Sequence, residues 1–207
     1  MVKRVIKRRA AARILPGIEA YNQGELDGLC GIYAVINAYR LLYGDKFPYA
    51  LAHRIFRRMA KASPLAVFEG LGYRELLDLI ALANRAVPQP LRLEVRTDVF
   101  KKQANGPAWR TDTYVKRLRE EVNEQNQVAI LGLERAHEHW TLVHRLTNST
   151  VKLTDSDNVS HLRLANIGIT VKTRKNLRIN PSQTILLRPW MESPNALYKK
   201  RKPKTGR

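Results

Sequence analysis

At 207 residues the chain is long enough for one domain with a sizeable core. Its 44% hydrophobic and 27% charged residues are the balance of a globular protein, which excludes wholesale disorder. Charge is the outlying property: 37 Lys and Arg against 18 Asp and Glu leave a formal net charge of +19.

Residues 1–13 carry six basic groups and no acid. This start has the charge of a secretory signal, but no apolar stretch follows before Arg13. No run in the chain approaches the roughly 18 apolar residues of a membrane-spanning helix, so the expectation is a cytoplasmic protein without a membrane span. Leu29 to Tyr43 is apolar nearly all round, which predicts a buried helix, with Gly44 placed to end it. Pro48 opens a second helix with Leu51, Ile55 and Met59 on one face and Arg54, Arg57, Arg58 and Lys61 elsewhere. Tyr73 to Arg85 predicts a third, with Leu76, Leu77, Ile80 and Leu82 as its apolar stripe. Leu91 to Arg96 alternates with period two, the pattern of a half-buried strand, and Asp112 is placed to cap a helix carrying Val115, Leu118 and Val122.

From there the pattern turns to strands. Gln127 to Leu133 is a short apolar run, His139 to Leu146 follows, and Thr147-Asn148-Ser149 is a turn leading into Thr150 to Asp155. Ile169 to Lys172 and Gln183 to Arg188 complete the set. Helices first and an antiparallel sheet after them is the α+β pattern, a helical half packed on a C-terminal antiparallel β-sheet. Residues 199–207 add six more basic groups without an acid, which predicts a disordered tail and bounds a single domain over residues 14–198. Both basic ends suit weak attraction to a polyanion such as nucleic acid, or to an acidic protein; both equally suit plain solvation.

The chemistry turns on Cys30, the one cysteine. A glycine-bearing loop, Gly24 to Gly28, delivers it to the first turn of the buried helix, where free N–H groups and the helix dipole favour a thiolate. Alternatively it is a small apolar side chain filling a helix contact. A thiolate nucleophile needs a base beside it, and the base needs an acceptor on its other nitrogen. His139 begins one expected strand and Asp155 ends the next, so a hairpin turning at Asn148 would bring their outer ends together. His137 would share the His139 face, His144 would point to the other, and Asp157 is the alternative acceptor. His137-Glu138-His139 offers zinc ligands, but no set with structural-zinc spacing accompanies them; no metal or cofactor is expected.

Taken in order, Gln23, Asp27-Gly-Leu-Cys30-Gly, His139-Trp and Asp155 resemble the papain-like cysteine peptidases. They are most similar to the bacterial branch whose peptidase domains cut leader peptides after a double glycine. The resemblance covers roughly residues 20–190 and implies a papain-like catalytic domain acting on a peptide or protein substrate. It implies Cys30 as nucleophile, His139 as general base and acid, Asp155 as orienting acceptor, and Gln23 as oxyanion donor with the backbone N–H of Cys30. Gln23 stands seven residues before Cys30 rather than the usual six, and Ser156-Asp157 replaces a common proline. Asp27-Gly-Leu-Cys30 is also similar to the ovarian-tumour-type deubiquitinases, and the Cys, His, Asp order to transglutaminase-like proteins. Hydrolysis and acyl transfer to an amine, as in a transglutaminase or deamidase-type enzyme, both fit. A reading from a different class is a basic binding module on the same scaffold.

Overall fold

The computed structural model describes residues 21, 28–101, 108–125, 127–135, 138–169 and 174–190. The basic ends, Gln23 and His137 lie outside these residues, as does all but Ile169 of the strand expected at Ile169 to Lys172.

The first half is helical. Helix α1 (Cys30–Tyr43) is buried along nearly its whole length, including Ile32, Val35, Ile36, Tyr39 and Leu41. It ends at Gly44, whose positive φ of 54° takes the chain out of the helix into a short 3-10 turn. Helices α2 (Tyr49–Ala62) and α4 (Tyr73–Ala86) pack against α1 and each other through Ala52, Ile55 and Met59 and through Leu76, Leu79, Ile80 and Ala83. Between them lies a single turn, α3 (Ala66–Glu69). In α4 the buried stripe is Leu76, Leu79, Ile80 and Ala83, so Leu79 and Ala83 take the places expected for Leu77 and Leu82, which are half-buried at the margin. Two side chains stitch this half together. Asn84 holds both the N–H and the carbonyl of Leu93, at 2.7 and 2.9 Å, and accepts the Tyr39 hydroxyl at 2.7 Å. Asn37 does the same for Tyr21, accepting its N–H at 2.9 Å and donating to its carbonyl at 3.2 Å.

The second half is a sheet. Its strands among the described residues are β1 (Leu93–Arg96), β2 (Val128–Arg135), β3 (His139–Leu146), β4 (Thr150–Thr154), β5 (His161–Arg163), β6 (Ile167–Gly168), β7 (Leu177–Ile179) and β8 (Ile185–Pro189). They run in the order β1-β8-β2-β3-β4-β5, with β7 on the far end of β2 and β6 parallel to β7. Every other pairing is antiparallel. Successive side chains of a strand point to opposite faces, and β2 feeds two cores by that rule. Val128 and Ile130 join the helices α1, α2 and α4, whereas Ala129, Leu131 and Leu133 join Phe100, Tyr114, Leu118 and Val122 on the other face. The last three belong to helix α5 (Thr111–Arg119) and the π-turn that continues it.

The sheet boundaries differ in detail from the sequence pattern. Gln89–Leu91 and Pro181–Gln183 are 3-10 turns, so the flanking strands start later than their apolar patterns. Helix α5 begins one residue before Asp112, which sits in its first turn beside Arg110 instead of capping it. Strand β3 carries a bulge at His144: Val143 faces Leu153 and Arg145 faces Lys152. The extra residue lets Val143 and Leu146 share one core despite their odd spacing.

Candidate active site

Cys30 is the first residue of α1, which places its thiol at the end where the helix leaves its N–H groups unpaired. Two close approaches fix it there. A Cβ on Gly28 would lie 2.6 Å from the Ala66 carbonyl oxygen and 2.9 Å from the Gly70 nitrogen, so the Gly28 backbone presses directly on that of α3. A Cβ on Gly31 would meet Leu71 at 2.9 Å and Trp140 at 3.3 Å, so the start of α1 sits flush against both. Glycine on either side of Leu29-Cys30 is therefore a packing requirement.

The opposing wall is the start of β3. The Trp140 backbone N–H donates to Cys30 Sγ at 3.4 Å, and the Trp140 indole N–H donates to the Leu71 carbonyl at 2.6 Å. The indole lies across Gly132 of β2, where any Cβ would come within 3.2 Å of the ring. Trp140 thus ties the helical half to the sheet at the point where the thiol emerges. Cys30 itself is 6% exposed.

His139 precedes Trp140, and its Nε2 lies 2.9 Å from Asp155 Oδ2. Asp155 is the residue after β4, and its other oxygen accepts the Asp157 N–H at 2.8 Å. Nε2 is engaged by Asp155, and Cys30 is near enough to the imidazole to favour its protonated form. Burial alone would lower the His139 pKa, but Asp155 and Cys30 together outweigh it and push it up to about 10. Burial likewise opposes ionisation of Asp155. The hydrogen bond and charge of His139, helped by the Thr141 hydroxyl and the Asp157 N–H, hold its pKa below the ordinary carboxylate value. Contacts with Asp155 and Cys30 therefore favour the protonated imidazole.

Cys30, His139 and Asp155 thus come together from three separate elements. Asp157 lies beside them in a turn and supplies a backbone N–H, leaving Asp155 as the residue on the imidazole. His144 is held in the β3 bulge by Thr154, at 2.9 Å, and takes no part. Gln23 lies outside the described residues; Tyr21, two positions before it, is clamped to α1 by Asn37. Among the described residues no group of three or more His, Cys, Asp or Glu side chains gathers to hold a metal ion.

Cys30 and His139 border an open groove of about 960 Å³, and Asp155 is buried at Nε2 of the imidazole. Its helical wall is Phe68 to Tyr73, and its sheet wall includes Gly132, Leu133, Glu134, Glu138, Arg178 and Gln183. The sequence pattern missed the first wall, because α3 is too short for an apolar repeat to register. Gly70-Leu71-Gly72 was the available signal. No protein-family model matches the chain, and no curated protein or solved structure matches it. No helix of the described residues is long and apolar enough to cross a membrane.

Proposed function

We propose that the protein is a thiol acyl-transfer enzyme, most simply a papain-like cysteine peptidase cleaving a peptide or isopeptide bond. One observation carries this reading: a single imidazole, His139, is shared between the buried Cys30 thiol and the buried Asp155 carboxylate. A cysteine serving only as core filling requires neither group beside it.

In this reading the Cys30 proton resides on His139 Nδ1, and Sγ adds to the substrate carbonyl carbon. The carbonyl oxygen takes the electron pair and is met by the Cys30 backbone N–H at the free end of α1. Gln23 would be the second donor. His139 then passes its proton to the leaving amine as the C–N bond breaks, leaving a thioester on Cys30. Water, deprotonated by His139, attacks the thioester and releases the acid; an amine in place of water gives acyl transfer. Asp155 keeps Nε2–H directed away from the thiol throughout.

The test is chemical. Iodoacetamide should label Cys30 at neutral pH faster than it labels the unfolded chain, and His139→Ala should abolish that excess. Equal rates in the two proteins would overturn the enzyme reading. Comparing protein termini in a proteome exposed to active protein or to Cys30→Ser would then identify the bond cut.

A second observation favours polyanion binding alongside catalysis. Helix α2 exposes Arg54, Arg57, Arg58 and Lys61, and the helix contains no acid. Replacing the three arginines with Gln should lower retention on heparin and flatten its salt dependence. Unchanged retention would remove α2 from any such role.

A further inference from the structure

The charge of the groove is opposite to that of the molecule. Basic residues outnumber acidic ones by 37 to 18 over the chain. Along the groove the order is reversed: among the described residues Glu69, Glu134, Glu138 and Asp157 line it with Arg178 as the one Lys or Arg. Arg178 is consumed by an ion pair with Glu134, which it faces across the β2–β7 pairing. Glu69, Glu138 and Asp157 are exposed and make no ion pair with a described residue.

Resting on the peptidase reading above, we propose that this groove selects substrates carrying Lys or Arg on the residues flanking the bond presented to Cys30. The carboxylates stand on both walls. Glu69 lies on the helical side, Glu138 just ahead of His139, and Asp157 two residues past Asp155. A cation on either side of the scissile bond therefore meets a carboxylate. Phe68, 84% exposed beside Glu69 at the groove, offers a face for the aliphatic stem and charged head of a long basic side chain. The net positive charge of the molecule opposes the approach of a cationic peptide, but only at long range. At physiological ionic strength the screening length is about 8 Å, so the carboxylates in contact with the peptide decide its binding.

The experiment uses the full chain and peptidyl epoxides that share one neutral core, flanked on each side by two Lys, two Gln or two Glu. The second-order rate of Cys30 modification is measured for the wild type, for His139→Ala, and for a triple variant Glu69→Gln, Glu138→Gln, Asp157→Asn. Each exposed ion pair is worth roughly a two- to five-fold rate difference, so the Lys probe should outpace the Gln probe about ten-fold or more. The Glu probe should be slowest, and the triple variant should bring the Lys-to-Gln ratio toward one. Equal rates for Lys and Gln, or a Lys preference that survives the triple variant, would overturn the basic specificity while His139-dependent modification leaves the peptidase reading standing. If no probe reacts in a His139-dependent way, the peptidase reading falls and this inference with it.

Discussion

At the scale of single residues, the pKa of His139 is the property most open to measurement. Its rise to about 10 comes from the hydrogen bond to Asp155 first, then from Cys30 and from the charge of Asp155, and an amide at 155 would keep an acceptor but lose the charge. Asp155→Asn should therefore shift the alkaline limb of Cys30 reactivity from near pH 10 down toward the ordinary histidine value of about 6.5. A limb that does not move would show that the carboxylate does not set the protonation of the ring. Stability follows the same groups with opposite signs. His139 has a raised pKa, so its contribution is complete below about pH 6.5 and is lost as pH climbs to about 10. The Asp155 pKa is lowered, so its contribution holds above the ordinary carboxylate range and is lost as pH falls through its folded value. Urea midpoints should accordingly decline at both extremes, and Asp155→Asn should flatten both declines. The positions of these residues were legible in the sequence because a hairpin of known turn brings together residues sixteen apart. Asp155 was preferred to Asp157 from the expected end of its strand, but the backbone turn that places the Asp157 N–H on its other oxygen was not legible.

At the scale of elements, the loop before α1 and the short α3 act as a pair. Gly28→Ala would drive a methyl group into the Ala66 carbonyl oxygen, a backbone atom that cannot swing aside. Gly31→Ala meets the flexible end of Leu71 first. Gly28→Ala should therefore cost more, about 1–3 kcal/mol in urea unfolding, and slow the labelling of Cys30 more than Gly31→Ala does. The reverse ranking would mean that the thiol is positioned by the Trp140 side and not by α3. The long elements followed from periodicity: α1, α2, α4 and β3 lie where their apolar residues recur. The short ones did not. Strands β5, β6 and β7 have two or three residues each, fewer than any alternating pattern needs, and they exist because β2 and β4 have edges to pair. Ending α5 and starting β2 also depends on a polar cluster of Glu121 and Gln127 with Arg96, which comes from 25 residues before Glu121.

At the scale of the whole molecule, the order of strands matters more than their number. Strand β8, the last in the chain among the described residues, lies between β1 and β2, and its Ile185, Leu186 and Leu187 are fully buried. Burying three such side chains contributes roughly 5–9 kcal/mol, as much as the entire net stability of a typical domain. A chain ending at residue 184 should thus lose cooperative unfolding and His139-dependent labelling together; retention of either would show that β1 and β2 hold without their shared partner.

That topology has a consequence for the protein while it is being made. Synthesis releases Cys30 early, as an ordinary thiol on a helix with nothing to lie against. The Trp140 amide that meets it is 110 residues further along, and the strand that clasps the sheet arrives later still. On the proposed reading, reactivity is withheld until β8 has been made, and a chain that stops short of it carries no competent nucleophile.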